Sequence, residues 1–188
     1  MNIVILGPQG SGKGTQADLI AEYFGLTHID MGAELRRIEK EETERGRRVR
    51  EIIDVGDLVP VELTVEIFKE ALAQPAKGFV IEGFPRTQEQ YAAIRDDVTF
   101  NLALFIDVPD EVSVERMSKR AEVEHRPDDT PEAIARRLEI YHTQTELLLR
   151  DYTDEGILVR INGDQSPEDV FAEIRDAIED TDSSTTVA

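Results

Sequence analysis

The segment GPQGSGKGT, residues 7–15, places four glycines within nine positions, directly after the short apolar run NIVIL. Glycine at this density weakens any helix or strand that contains it, so the segment predicts a loop between two regular elements. Gly7, then four residues, then Gly12 and Lys13 is the spacing of a phosphate-binding loop. In such a loop, successive backbone N–H groups and the N-terminus of the next helix surround an anion, and the lysine adds a point charge.

The residue after the lysine departs from the common form of this pattern. That form has Ser or Thr directly after the lysine, whereas this chain has Gly14 there and Thr15 one position later. Because the Thr15 hydroxyl can still serve a Mg²⁺ ion, we interpret the loop as a nucleoside polyphosphate site; a ligand-free glycine-rich turn is the alternative. The candidate polyphosphate ligands are Gly10, Ser11, Gly12, Lys13, Gly14 and Thr15.

Short apolar runs alternate with amphipathic stretches along the rest of the chain. Runs rich in Val, Ile, Leu or Phe and bounded by turn residues predict buried strands at 2–6, 78–83, 102–108 and 157–162. Helical periodicity lies between them, at 13–24, 61–73, 87–95, 110–120, 131–151 and 167–179. The alternation predicts right-handed βαβ units, and therefore an α/β fold whose parallel sheet is covered by helices on both faces.

Composition restricts the possible partners. The 40 acidic and 21 basic residues give a net charge of −19, which disfavours nucleic acid or an anionic membrane as a partner. No apolar run reaches the roughly 18 residues of a membrane-spanning helix, and the N-terminus lacks the basic start of a signal peptide. With no cysteine and three scattered histidines, we expect no zinc site and a cytoplasmic location.

Several motifs spread along the chain carry a resemblance to one family. The most specific are the glycine loop GPQGSGKGTQ and the segment GFPRTQEQ at 83–90. The further motifs are DLVPVEL (57–63), FIDVPDEV (105–112), RPDDTPEAIARRLEIYHTQTELLLRDY (126–152) and INGDQSPEDVF (161–171). With this set the chain resembles the adenylate kinase family of nucleoside monophosphate kinases, from residue 3 to about residue 178.

The resemblance implies a single P-loop kinase domain over residues 1–180, a three-layer fold with a parallel five-stranded sheet and two inserts. One is a helical insert at about residues 30–59 that binds the nucleoside monophosphate (NMP). The other is a lid at about residues 120–130, which is the family's short-lid form and implies a monomer. The polar end of the chain, 181–188, is expected to be disordered.

The expected site is rich in arginine. Phosphoryl transfer between two nucleotides brings several anionic groups together, and planar guanidinium groups match phosphate oxygens well. The resemblance implies that Arg120 and Arg126 close from the lid and that Arg137 reaches the same phosphates, so that these three join Lys13 and Arg86 as catalytic residues. Arg120 is also assigned to ATP. The expected AMP ligands are Met31, Arg36, Val59, Gly83, Arg86, Gln90, Arg126 and Arg137.

Three positions depart from the family's usual pattern. Met31 and Ala33 lie in MGA, where the family usually has TGD; Met31 lacks a hydroxyl that commonly lies near the adenine, and Ala33 lacks a carboxylate. Glu82 replaces the aspartate that typically orients water on Mg²⁺. Gln90 carries an amide that can accept from and donate to an adenine edge, so AMP is the expected acceptor. The candidate metal ligands are Thr15 and, through water, Glu82.

The resemblance implies Mg²⁺-dependent transfer of a phosphoryl group from ATP to AMP, giving two ADP. No catalytic base is needed, because the monophosphate already offers an anionic oxygen, and the lid is expected to exclude water. Two alternatives stay open. One is a kinase of the same fold that accepts UMP, CMP or GMP; the other is a nucleotide-binding sensor with poor turnover, favoured only by the segment 31–33 and by Glu82.

We expect the melting temperature to rise with salt. The net charge of −19, with only five lysines, implies self-repulsion in the compact state. Salt screens that repulsion, because the Debye length falls from about 10 Å at 0.1 M to about 3 Å at 1 M. Thermal melts in KCl at these two concentrations measure the effect. A flat or falling melting temperature would leave the acidity as an ordinary solubility feature.

Overall fold

The computed structural model of the chain describes residues 1–72, 77–124 and 129–185, with the backbone alone at 124 and 182–185. Arg126, one of the expected catalytic residues, therefore lies outside the described residues, together with part of the predicted lid. Along the described ranges, no helix combines the length and the apolar character needed to cross a bilayer.

Five parallel strands form one sheet in the order β2-β3-β1-β4-β5. This confirms the predicted α/β fold and its parallel five-stranded sheet, and the four strands predicted from hydrophobicity agree with the structure to within one residue at each end. The strands are β1 Asn2–Leu6, β2 Thr27–Asp30, β3 Phe79–Glu82, β4 Leu102–Asp107 and β5 Leu158–Asn162.

The apolar pattern missed β2. This strand has four residues, THID, of which only Ile29 is buried, so it shows neither an apolar run nor a clear alternation. It exists because it pairs with β3, with Asp30 in register with Glu82. The pairing is a tertiary contact, and local propensity does not report it.

Helices cover both faces of the sheet. In the described parts of the chain they are α1 Lys13–Phe24, α2 Met31–Ile38, α3 Glu44–Ile53, α4 Val61–Leu72, α5 Gln88–Ala92, α6 Asp110–Glu124, α7 Pro131–Ile140, α8 Leu147–Asp154 and α9 Pro167–Thr185. Alternate residues of β1 face opposite layers: Ile3 and Ile5 pack with α1 and α9, whereas Val4 and Leu6 face the layer that contains α2, α3, α4 and α8.

The single helix predicted over 131–151 is divided in the structure. A π-helical segment, Tyr141–Thr145, lies between α7 and α8. Within it, the Thr145 hydroxyl donates to the carbonyl oxygen of Arg86 at 2.9 Å. Such a π segment is a local insertion in the helical hydrogen-bond ladder, and such insertions are frequent at functional sites. Hydrophobic periodicity could not show it, because the partner of Thr145 is distant in sequence.

The C-terminal helix is longer than expected. α9 runs to Thr185, so residues 181–185 of the predicted disordered tail are helical, and the rest of that tail is not described. Once a helix is nucleated, each further residue adds one backbone bond, which extends a helix beyond its apolar face. The Thr181 hydroxyl also donates to Ala177 O at 2.9 Å.

The strand order places one edge of the sheet at a topological switch point. From β1 the chain moves to β2 on one side and later, from β3, to β4 on the other side. In open parallel sheets, ligands bind outside the carboxyl ends of the strands at such a point. The glycine loop follows β1, and Glu82 ends β3, so both lie at this edge.

Candidate functional site

A cavity of about 660 Å³ lies at the carboxyl edge of the sheet. Most of the residues predicted from sequence line it: Gly10, Gly12, Lys13, Gly14, Thr15, Arg36, Val59, Glu82, Gly83, Arg86, Gln90, Arg120 and Arg137. They come from the glycine loop, α2, the segments after α3 and β3, and α5 to α7. The fold therefore gathers into one space groups that are more than 100 residues apart in the chain.

The glycine loop wraps around the lysine side chain. Lys13 Nζ donates to the carbonyl oxygens of Gly7 at 2.9 Å and Pro8 at 2.6 Å. Gly10 has φ +82°, and a Cβ there would lie 2.6 Å from the carbonyl oxygen of Ser113 in α6. The loop thus needs glycine at this position, both for its backbone conformation and for its close approach to α6.

The pKa of Lys13 is lowered to about 8, chiefly by burial; the charges of Arg86 and Arg120 act in the same direction, and the charge of Glu82 opposes them. The cationic form is thus held in surroundings with too little negative charge. An anion that enters beside Lys13 would supply that charge.

Arg86 is held from several sides. Its Nε donates to Gly83 O at 2.9 Å, and its carbonyl oxygen accepts from Thr145. Burial lowers the pKa of Arg86 to about 10, and the charge of Arg137 contributes in the same direction. The guanidinium group is therefore preorganised beside another cation, an arrangement that an anionic ligand would stabilise.

One of the two polar atoms of the Gln90 side-chain amide is hydrogen-bonded within the protein. Its Oε1 accepts from the backbone N–H of Arg86 at 2.7 Å, and the residue is only 3% exposed. Its Nε2 makes no hydrogen bond to another described residue, although Gln90 lines the cavity. The amide therefore couples the backbone of Arg86 to the cavity and offers the cavity a donor.

Asp129 joins two of the predicted arginines. Its side chain is fully buried, and its carboxylate accepts from Arg120 Nε and Nη2, each at 2.8 Å, and from Arg137 Nη1 at 2.8 Å. Burial alone would raise the pKa of Asp129, but the hydrogen bonds and charges of both arginines outweigh it and hold that pKa below its usual value. α6 and α7 are thus connected through one carboxylate.

Glu82 occupies the space that Gly14 leaves open. A Cβ on Gly14 would lie 2.9 Å from Glu82 Oε1. The same oxygen lies 3.4 Å from His28 Nε2, and His28 Nδ1 lies 2.8 Å from Asp18 Oδ1. Burial lowers the pKa of His28, but the neighbouring carboxylates of Glu82 and Asp18 outweigh it, so that pKa is raised overall.

Two expected ligands, Met31 and Ser11, do not line the cavity. Met31 is fully buried in the core layer and does not line the cavity, because at the start of α2 its flexible side chain packs inward beneath the sheet edge. Ser11 is 2% exposed and contributes no side chain to the cavity wall. Arg126 lies outside the described residues.

Sequence reasoning missed other residues that line the cavity. Arg116 donates to the carbonyl oxygen of Gly163 at 3.1 Å and lies four residues before Arg120 on α6. That spacing puts both guanidinium groups on one helix face, a signal that was available in the sequence. Asp18, His28 and Asp30 also line the cavity, but no local pattern distinguishes them from ordinary polar residues.

Replacement of Asp129 by Asn is expected to lower the free energy of unfolding by about 1–3 kcal/mol at pH 7, because the neutral amide pairs less well with two guanidinium groups. Since folding lowers the pKa of Asp129, its stabilisation is present above the unfolded value near 4 and is lost as the pH falls through the folded value. Urea unfolding at neutral pH and at about pH 2–3 measures the difference.

The control is Asp154→Asn, because Asp154 is 72% exposed and lies 3.8 Å from Arg150. This change should have little effect at either pH. If the deficit of Asp129→Asn persisted unchanged at low pH, the carboxylate charge would not be its cause.

Comparison with known proteins agrees with this geometry. Residues 5–157 match the family model described as adenylate kinase. The adenylate kinase of Parabacteroides distasonis is 40% identical over 185 residues, which cover 95% of this chain and 97% of that protein. The adenylate kinase of Thermus thermophilus is 39% identical, over 94% of this chain and 96% of that protein. The adenylate kinase of Micrococcus luteus is 38% identical, over 94% of this chain and 89% of that protein. The chain belongs to the adenylate kinase family.

Proposed function

We propose that the protein is an ATP:AMP phosphotransferase that converts ATP and AMP reversibly into two ADP. The observation that carries this is the single cavity that holds the lysine of the glycine loop together with Arg36, Arg86, Arg120 and Arg137. Among the described residues, Lys13 and five arginines line this cavity against four carboxylates, and this excess of positive charge suits phosphorylated ligands.

The cations divide between two ligands. The donor triphosphate lies on the glycine loop, whose N–H groups, Lys13 and Arg120 receive it. The acceptor phosphate lies between Arg36, in the last turn of α2, and Arg86, which follows β3. Arg137, and Arg126 from the lid, contact the group in transfer. Positioning and charge stabilisation account for the catalysis, since AMP brings its own anionic nucleophile.

The protein side of a magnesium site fits the residues present. Thr15 is exposed in the cavity, and the Glu82 carboxylate lies over Gly14, beside the loop. Hydroxyl and carboxylate oxygens are hard ligands of the kind that Mg²⁺ takes, often through water. Thr15 would hold the ion directly and Glu82 through water; when bound, the ion neutralises phosphate charge. In the described ranges no three His, Asp or Glu side chains form a metal cluster, so most ligands would come from phosphate and water.

AMP is the acceptor that the cavity favours. Leu35, Ile53, Leu58 and Val59 supply an apolar wall for a base, and Gln90 offers its amide N–H₂ there. Met31 does not contact this space, so the missing hydroxyl at that position leaves Gln90 as the main polar reader of the base. The short-lid resemblance also underlies our proposals that the lid spans about 120–130 and that the enzyme is a monomer. The proposal of a cytoplasmic location rests on the composition, which includes no cysteine.

A coupled assay with AMP, UMP, CMP and GMP as acceptors tests the function. We expect kcat/KM to be highest for AMP. Gln90→Ala should reduce that preference. In the wild-type site a wrong base leaves the Gln90 amide without a hydrogen-bond partner, and the alanine variant no longer carries this penalty. Gln90→Glu is the matched variant: it keeps an acceptor for the Arg86 N–H but removes the N–H₂ donor, and it should reduce the preference equally. Activity that is higher with another monophosphate would overturn the choice of AMP, and no activity with any of them would overturn the kinase function.

Replacement of Arg86 by Ala is expected to raise KM for AMP about 10- to 100-fold and to change KM for ATP far less. Charge-assisted hydrogen bonds of this kind contribute about 1.5–3 kcal/mol. Steady-state kinetics with each substrate varied in turn measure the division. Arg150→Ala, which removes an 86% exposed arginine outside the cavity, is the control and should change neither constant. Equal losses for both substrates would contradict the assignment of Arg86 to the acceptor.

Gly14→Ala is expected to lower kcat about tenfold with little loss of stability. The added Cβ would lie 2.9 Å from Glu82 Oε1 and would displace that carboxylate. Glu82→Asp shortens that side chain and makes room. The double variant Gly14→Ala/Glu82→Asp should therefore recover most of the activity, a coupling that a double-mutant cycle measures. Strictly additive losses would show that Gly14 serves another purpose.

A further inference from the structure

One carboxylate lies among the cations of the acceptor site. Asp30 is the last residue of β2, in register with Glu82 of β3, and it lines the cavity. Its Oδ1 accepts from the backbone N–H of Ala33 at 2.9 Å, as the N-cap of α2. Its Oδ2 lies 3.4 Å from Nη2 of Arg36. The cap bond of Oδ1 therefore holds the carboxylate beside Arg36.

Hydrogen-bond donors that could bind a phosphate lie close to the Asp30 carboxylate. A Cβ on Gly32 would lie 3.0 Å from Arg36 Nη1 and 3.1 Å from Asp30 Oδ1. A Cβ on Gly83 would lie 3.5 Å from Arg86 Nη2 and 3.5 Å from the backbone nitrogen of Gly32. Both guanidinium groups and the first-turn amide of α2 therefore meet around two glycines, with the Asp30 carboxylate at their border.

The charge of Asp30 acts on the wider site as well. It raises the pKa of both Lys13 and Arg86, opposing the effect of burial on each. Asp30 is thus close enough to supply part of the negative charge that a bound phosphate would otherwise supply. Two negative groups cannot share the same donors without repulsion, and at short range inside a protein that repulsion is large.

We propose that Asp30 is an internal counter-ion of the acceptor-phosphate site, which pairs with Arg36 when the site is empty and weakens the binding of the monophosphate. This rests on the proposed function and adds a determinant of affinity to it. The 3.4 Å contact to Arg36 is long for a charge-assisted bond, so a phosphate can displace it, but the fixed charge remains nearby. The consequence is a raised KM for AMP and faster release of ADP from the acceptor side.

Asp30→Asn tests this, because asparagine keeps an N-cap acceptor for Ala33 and removes only the charge. We expect KM for AMP to fall about tenfold and KM for ATP to stay within about twofold. Inorganic phosphate, as a competitive inhibitor against AMP, should bind more tightly to the variant, whereas uncharged adenosine should bind with unchanged affinity. Asp30→Ser also keeps a cap and serves as the second variant should the amide fail to fold.

The matched control is Glu34→Gln. Glu34 lies in α2, the helix that Asp30 caps; it pairs with Arg37 and does not line the cavity. Glu34→Gln therefore changes the net charge by the same amount as Asp30→Asn but leaves the acceptor site intact. It should leave KM for AMP unchanged. An unchanged or raised KM for AMP in Asp30→Asn would overturn the proposal. An equal change in the affinity for adenosine would also overturn it, because the variant would then have changed the shape of the pocket rather than its charge. Either result leaves the kinase function standing, whereas a wild-type protein inactive with every monophosphate would overturn that function itself.

Discussion

The structure depends on a concentration of positive charge at one edge of a parallel sheet. Lys13, Arg36, Arg86, Arg120 and Arg137 share one cavity, in a chain whose net charge is −19. Cations in such a place are unfavourable unless something compensates them, and burial accordingly lowers the pKa of Lys13 and Arg86. The strand order creates this edge, and the phosphates of the substrates are its natural complement.

Internal carboxylates hold the cations in place without substrate. Asp129 joins Arg120 and Arg137 across α6 and α7, and Asp30 contacts Arg36 across the start of α2. The Asp129 pairs link α6 to α7, whereas Asp30 holds Arg36 near the N-terminus of its own helix, so these arginines are oriented before a ligand arrives. These carboxylates neutralise the positive charge of the site only in part, so a bound phosphate can still stabilise the remaining charge.

The departures from the family's usual pattern fit the same arrangement. Glu82, one methylene longer than aspartate, has space because the residue after Lys13 is Gly14. Met31 is buried in the core and does not line the cavity, whereas Gln90 does. Ala33 carries no carboxylate, but the Asp30 carboxylate lies at the same end of α2, where it caps the helix and accepts from the backbone N–H of Ala33. These changes rearrange the surroundings of the site and keep its cations.

The amino-acid sequence by itself determined the glycine loop, four strands and the alternation with helices, because these depend on local spacing and periodicity. The arginines that line the cavity were expected from the family resemblance, since local spacing does not distinguish them from exposed arginines. Only the tertiary structure decided the rest. The polar strand β2 exists through pairing with β3, the π segment contacts Arg86 59 residues away, and Asp129 becomes a buried link only when α6 and α7 meet. Such features are invisible to local patterns because their stabilising partners are distant in the chain, and a carboxylate or threonine looks the same in sequence whether it faces water or a guanidinium group.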